Sequence, residues 1–196
     1  DTPGNAGIGT TDSNNYAVDT VRPTATILVA DTSLIIGETS LVTITFSEAV
    51  TGFSNADLTI ASGTLSAVAT TDGGITWTAT FTPTASISDA TNVITLDTTG
   101  VSDTVGNAGV GTTDSNNYAV DTVRPTVVVS LSDTSLVAGE TSLVIMAFSE
   151  AVTGFDNADL TIANGTLSAV STADGGVTWT ATLTPTTGII SASNVV

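Results

Sequence analysis

Residues 72–83 read D-G-G-I-T-W-T-A-T-F-T-P, and the fold is decided by how that stretch alternates. Ile75, Trp77, Ala79 and Phe81 fall on one side of an extended chain, and Thr76, Thr78 and Thr80 on the other. This period of two marks a strand with one face buried. Asp72-Gly73-Gly74 is the hairpin turn that feeds it. The stretch returns at 174–185 as D-G-G-V-T-W-T-A-T-L-T-P, so whatever packs on it is built twice.

Outward from there the duplication continues without a gap. D-T-P-G-N-A-G-I-G-T-T-D-S-N-N-Y-A-V-D-T-V-R-P-T begins at Asp1 and its near copy at Asp103, an offset of 102 (103 − 1). Glu38 falls on Glu140, Glu48 on Glu150 and Pro83 on Pro185, with gentle exchanges such as Ile35 for Val137 and Phe81 for Leu183. A period near 100 residues is the size of one self-sufficient β-sandwich. The phase predicts three parts: residues 1–20 as the tail of a preceding repeat, 21–122 as a complete repeat, and 123–196 as a second repeat truncated at its C-terminal side. The second copy lacks the equivalent of 95–122, and an incomplete sandwich exposes a sheet edge. Its ends are expected to be compromised or completed by a neighbouring chain.

Seven short runs are expected as strands, at 24–30, 40–46, 57–61, 64–70, 75–82, 92–97 and 117–120. Residues 84–90 are the one segment with room for a short helix. Trp77 lies on the inward face, where core packing outweighs a role as a sugar-stacking platform. The fold class is all-β: immunoglobulin-like Greek-key β-sandwich repeats in tandem.

Composition narrows the chemistry. The 196 residues carry 19 acids against two bases, a formal net charge of −17. That field repels nucleic acid and anionic lipid and attracts divalent cations. No apolar run is long enough to insert in a membrane. Without Cys or His there is no disulfide, no thiolate and no usual zinc ligand set. The chain also has no Lys, so nothing activates the many Ser and Thr hydroxyls as nucleophiles, and no lysine isopeptide crosslink can form. An enzyme is not expected.

The acids have a pattern. In such a sandwich successive loops alternate between its two ends. The leading end collects Asp19 of the entry linker, Glu48, Asp57, Asp72, Asp97, Asp103 and Asn107; in the second copy Glu150 and Asp159 repeat Glu48 and Asp57. The trailing end collects Asp31, Glu38, Asp89 and the exit Asp121. Stacked repeats would bring like charges together, and one arginine per repeat, Arg22 or Arg124, is too little to balance them. Either these are solvated loop acids, or they hold Ca2+, which takes six to eight oxygens where Mg2+ insists on an octahedron. D-S-N-N at Asp12 and Asp114 lacks the glycine and the terminal glutamate of an EF-hand loop. Arg22 either bridges to an acid or is solvated.

Taken together, Y-A-V-D-T-V-R-P-T (16–24), L-I-I-G-E-T (34–39), F-S-E-A-V-T-G-F (46–53), N-A-D-L-T (55–59), the 72–83 stretch and D-T-V-G-N-A-G (103–109) resemble the bacterial immunoglobulin-like repeats of large RTX-type biofilm adhesins. The resemblance covers the whole chain. It implies an extracellular, cell-surface spacer in which many modules, stiffened by Ca2+ at their junctions and loop ends, hold an adhesive tip away from the bacterium. It would carry ligand roles onto Asp19, Glu48, Asp103 and Asn107 for the first copy, and onto Asp121 and Glu150 for the second. The partners it implies are neighbouring repeats. Two other readings stand beside it. One is a glycan- or protein-binding module, for which the aromatic residues are mostly committed to strand interiors. The other is a filament subunit in which segment 1–20 completes the sandwich of another copy by strand addition.

Overall fold

The computed structural model describes residues 2–4 and 6–196; Asp1 and Asn5, within the stretch read as a preceding tail, lie outside the described residues. The chain divides into two compact units, Asp1–Val123 and Arg124–Val196. Both are all-β, with three single-turn 3-10 segments at Asn55–Asp57, Thr98–Gly100 and Asn157–Asp159, and no α-helix among the described residues.

In the first unit β1 (Ala25–Val29), β2 (Ser33–Ile35), β3 (Ser40–Phe46), β4 (Val50–Thr51), β5 (Leu58–Ile60), β6 (Gly63–Leu65) and β7 (Ala69–Thr70) precede the central β8 (Thr76–Pro83). There follow β9 (Ser88–Asn92), β10 (Ile94–Asp97), β11 (Ser102–Asp103), β12 (Thr112–Asp114) and β13 (Tyr118–Asp121). One sheet runs β1-β3-β8-β6, with β7 also on β8. The other half comprises β12-β10-β5 and β2-β13-β9, with β13 parallel to β2, and a short β11-β4 pair. This is the immunoglobulin sandwich, two sheets sharing one core.

That core follows from the alternation. Val42, Ile44 and Phe46 of β3 and Ala79 and Phe81 of β8 are buried, in the register Val42↔Ala79 and Ile44↔Trp77. From the other half come Leu58, Ile94, Leu96, Tyr118 and Val120. Tyr118 is fully buried, meets Phe81 edge to face at 5.0 Å, and donates its hydroxyl to the Ala61 carbonyl at 2.7 Å. Phe46, Phe53 and Trp77 form a second edge-to-face chain at 5.2 Å per step, and the indole N–H of Trp77 donates to the Gly74 carbonyl at 3.1 Å. Trp77 is therefore packing, anchored at its polar tip.

Three expectations need correcting. Ile75 is 39% exposed: the turn at Gly73 and Gly74, both at positive φ, leaves it at the margin of the sheet. Residues 84–90 hold no helix; the chain turns at Ser86 (φ 60°) and enters β9, whose partner β13 fixes it as a strand. Residues 64–70 form two strands, because the Asn55 side chain occupies the gap. Its amide donates to the Ser66 carbonyl and accepts from the Val68 N–H, both at 2.9 Å.

Gly63 marks the tightest approach. A methyl group there would run into the Phe81 ring and lie 2.7 Å from the Thr82 carbonyl oxygen, whereas at Gly165 the nearest atom is the movable Leu183 Cδ1 at 2.8 Å. Gly63→Ala should cost about 1–3 kcal/mol of stability by overpacking, and Gly165→Ala less; urea melts of the two variants check the ranking.

The second unit contains β14 (Val127–Leu131), β15 (Ser142–Phe148), β16 (Gly165–Leu167), β17 (Ser171–Thr172) and β18 (Thr178–Pro185). They form one sheet, β14-β15-β18-β16 with β17 on β18, matching the first sheet of the first unit. Val144, Met146 and Leu183 are its buried centre, and Phe148, Phe155 and Trp179 repeat the aromatic chain at 5.1 and 5.4 Å. No second sheet is formed by the described residues. Ile27 and Val29, buried in the first unit, correspond here to Val129 and Leu131, which are not buried.

Candidate metal centre

Backbone pairing gathers the entry linker and three loops at one end of the first unit. Val50 N–H donates to the Gly74 carbonyl at 3.1 Å, and Ser102 pairs with Thr51. Arg22 donates to the Ala108 carbonyl at 2.6 Å, and the Asn107 amide to the Asp19 carbonyl at 3.3 Å. Arg22 thus ties the linker to the 103–109 loop through a backbone oxygen, and not through an acid. In this setting Asp19, Glu48 and Asp103 each place a carboxylate oxygen within 4.8 Å of the other two.

The three acids are prepared differently. Asp103 is buried at the end of β11. Its Oδ1 accepts the backbone N–H groups of Val105 (3.0 Å), Gly106 (2.7 Å) and Asn107 (2.8 Å), and its Oδ2 accepts the Asn107 side-chain amide at 2.7 Å. Burial would raise its pKa, but these hydrogen bonds outweigh burial and hold it below the usual carboxylate range. Asp19 is exposed, with Oδ1 accepting the Val21 N–H at 3.0 Å. Glu48 is half-buried, and its Oε1 is enclosed with no hydrogen-bond donor among the described residues. Burial, then the charges of Asp103 and Asp19, push its pKa up from 4.5. An enclosed carboxylate oxygen without a donor is costly unless a cation serves it.

Asp57, Asp97, Asp121, Glu150 and Asp159 are not members of this group. Asp57 closes a capping box on the first 3-10 turn, accepting the Ser54 N–H at 2.8 Å. Asp159 does the same for Asp156 at 2.9 Å. Asp97 caps Thr98–Gly100, accepting the Thr99 N–H and hydroxyl at 2.9 and 2.8 Å, which lowers its pKa. Asp121 is exposed and accepts the Val123 N–H at 3.3 Å, much as Asp19 does for Val21. Glu150 repeats Glu48: half-buried, with Oε1 enclosed and without a donor. Asp72 and Asp174 are turn formers. The Thr76 and Thr178 N–H groups lead the hydrogen bonds that draw them down to about 2.

An oxygen-only set with one orphaned carboxylate oxygen fits a hard divalent cation. Asp19, Glu48 and Asp103 would supply carboxylates and Asn107 its side-chain carbonyl.

Acid should therefore act in two directions on the metal-free protein. Glu48, with a raised folded-state pKa, binds its proton earlier in the folded than in the unfolded chain, so stability should rise as pH falls toward its ordinary range. Asp72 and Asp174 do the reverse: their stabilisation is present above 3.8 and is lost as pH falls toward about 2. A melting-temperature profile across this range in chelator should pass through a maximum on the acid side of neutrality.

The fold defines a class: tandem immunoglobulin-like sandwich repeats. The chain belongs to the bacterial Ig-like domain family, whose sequence model matches residues 19–120 and again 121–196. Each match opens on the linker aspartate, Asp19 or Asp121. No curated protein and no solved structure matches the chain. Domains of this family are generally non-catalytic structural modules, typically extracellular or surface-exposed. No helix among the described residues is long and apolar enough to cross a membrane.

Proposed function

We propose that the chain is a spacer segment of a bacterial cell-surface adhesin of the RTX type, stiffened by Ca2+, that holds an adhesive tip away from the cell in adhesion or biofilm formation. The observation that carries this reading is the convergence of Asp19, Glu48 and Asp103 around the donorless Glu48 Oε1. Asp19 belongs to the linker entering the repeat, while Glu48 and Asp103 belong to the sandwich. An ion held by all three ties linker to sandwich and offsets their mutual repulsion. Asp121 and Glu150 are the same two residue types one repeat later. Near-identical copies suit a task in which length matters and no single copy is special.

Calorimetric titration with Ca2+ should give saturable binding, and small-angle X-ray scattering should report a longer, stiffer particle in calcium than in chelator. A chain that binds no calcium and scatters identically in both is not this kind of spacer.

A further inference from the structure

The chain keeps two bases against 19 acids, and both stand at one place in the repeat, Arg22 and Arg124, an offset of 102 (124 − 22). So acidic a chain offers an arginine many carboxylates. Arg22 instead donates to a main-chain oxygen, the Ala108 carbonyl, at 2.6 Å. A guanidinium on a neutral acceptor cancels no charge, so what the contact supplies is placement. The anchor it uses is well held. Ala108 bridges to Ser102 of β11, and the Gly109 N–H donates to the Val101 carbonyl at 2.8 Å. Gly109 is seated so closely that a methyl group there would lie 2.6 Å from the Thr98 carbonyl oxygen. Asp103 and Asn107 belong to the same loop, which the Asp103 N–H closes on the Asn107 carbonyl at 3.1 Å.

On its other side the linker is fastened next to Glu48. The Thr24 N–H donates to the Ser47 hydroxyl at 3.0 Å, and the Ser47 N–H returns to the Thr24 carbonyl at 2.9 Å. Between the two attachments Pro23 is buried, and its ring restricts the backbone. Residues 22–24 therefore span from the loop of Glu48 to the loop of Asp103. Before Arg22 the hold is weaker. The Asn107 amide reaches the Asp19 carbonyl at 3.3 Å, and the Val21 N–H bonds the Asp19 Oδ1, which shapes the turn without attaching it to the sandwich. Charge alone would drive Asp19 away, because Glu48 and Asp103 repel it.

We propose that Arg22 is a positioning residue: its clamp on Ala108 holds the linker across the two loops, so that the Asp19 carboxylate stays beside Glu48 and Asp103 before any cation binds. The consequence for the cation rests on the calcium reading above; the clamp itself rests on the metal-free geometry. A trio assembled in advance receives a divalent cation without first gathering a loose segment, so less ordering entropy opposes binding. Arginine suits the task, since its long side chain carries a planar fork of donors that stays protonated at any working pH.

Arg22→Ala tests this cleanly, because charge and placement act in opposite directions. Removing a positive charge from the linker would by itself tighten the binding of a cation, whereas removing the clamp loosens it. Arg22 is exposed, so the variant leaves the core intact. Calorimetric titration with Ca2+ should give a dissociation constant about tenfold higher for the variant than for the unmodified chain, the scale of one hydrogen bond to a charged group. In chelator, amide exchange at residues 18–22 should be faster in the variant by more than any change in β3 and β8. An affinity that is unchanged or higher, or linker exchange no faster than before, overturns the role of Arg22. An unmodified chain that binds no calcium counts against the spacer reading instead, and the exchange measurement in chelator then decides for or against the clamp.

Discussion

Replacing Glu48 by Gln should raise the melting temperature of the metal-free first unit and at the same time remove most of the gain that calcium brings. The two effects have one origin. Without an ion, the Glu48 carboxylate is crowded by Asp103 and Asp19 and has an enclosed oxygen with no donor. The isosteric amide removes that charge while keeping the shape. With an ion, the same charge is what binds it. A ligand at about a hundred times its dissociation constant stabilises the folded state by about 2.7 kcal/mol, which in a unit of this size is a shift of about 10 °C. The variant should forfeit most of that shift. Parallel thermal melts in calcium and in chelator measure both signs together. A variant that loses stability in chelator, or keeps the full calcium shift, would remove Glu48 from the site.

Tyr118→Ala should destabilise the first unit by about 3–5 kcal/mol, as large-to-small truncation in a close-packed core does. The ring is fully buried against Phe81, and the hydroxyl is the Ala61 carbonyl's partner. Burial, and then the nearby Asp89 charge, also push its pKa up to about 12, so the phenol stays a neutral donor through the physiological range. Tyr118→Phe should cost about 1 kcal/mol, the worth of one hydrogen bond. Tyr16→Ala removes the same residue from the same local sequence and should leave the first unit's midpoint unchanged, because Tyr16 is 77% exposed. Urea melts of the three variants isolate what the sandwich contributes from what the sequence motif contributes.

Much of the first sheet was legible in the sequence because its determinants are local. The alternation across 75–82 and the turn at Asp72-Gly73-Gly74 predict β8, and the run at 40–46 predicts β3. The 102-residue offset then predicts their copies. The second half was less legible: β9, β11 and β12 are short and polar, and become strands only because β13, β4 and β10 lie beside them. That is pairing over long separations, which no window of sequence contains. The same distinction governs the acids. Asp57 and Asp97 carry local signs of capping, S-N-A-D at 54–57 and D-T-T at 97–99, and the structure finds them in those roles. Nothing local distinguishes Glu48. Its missing donor is a product of tertiary enclosure, and only the family resemblance drew it together with Asp19, Asp103 and Asn107 as a set.

The wrapping of residues 104–107 around Asp103 has a consequence for how a cation would act. Three main-chain amides already grip one oxygen of that carboxylate, so this one ligand is oriented before any ion arrives. Asp19, by contrast, is exposed on a segment that belongs to no strand. Arrival of the ion would therefore act as a latch that fixes the approach segment to a sandwich whose shape is already set. Amide exchange should then slow around residues 18–22 through local ordering, and in β3 and β8 only by as much as the ion raises global stability, so that one joint could stiffen or slacken with ambient calcium while the body it connects keeps its shape.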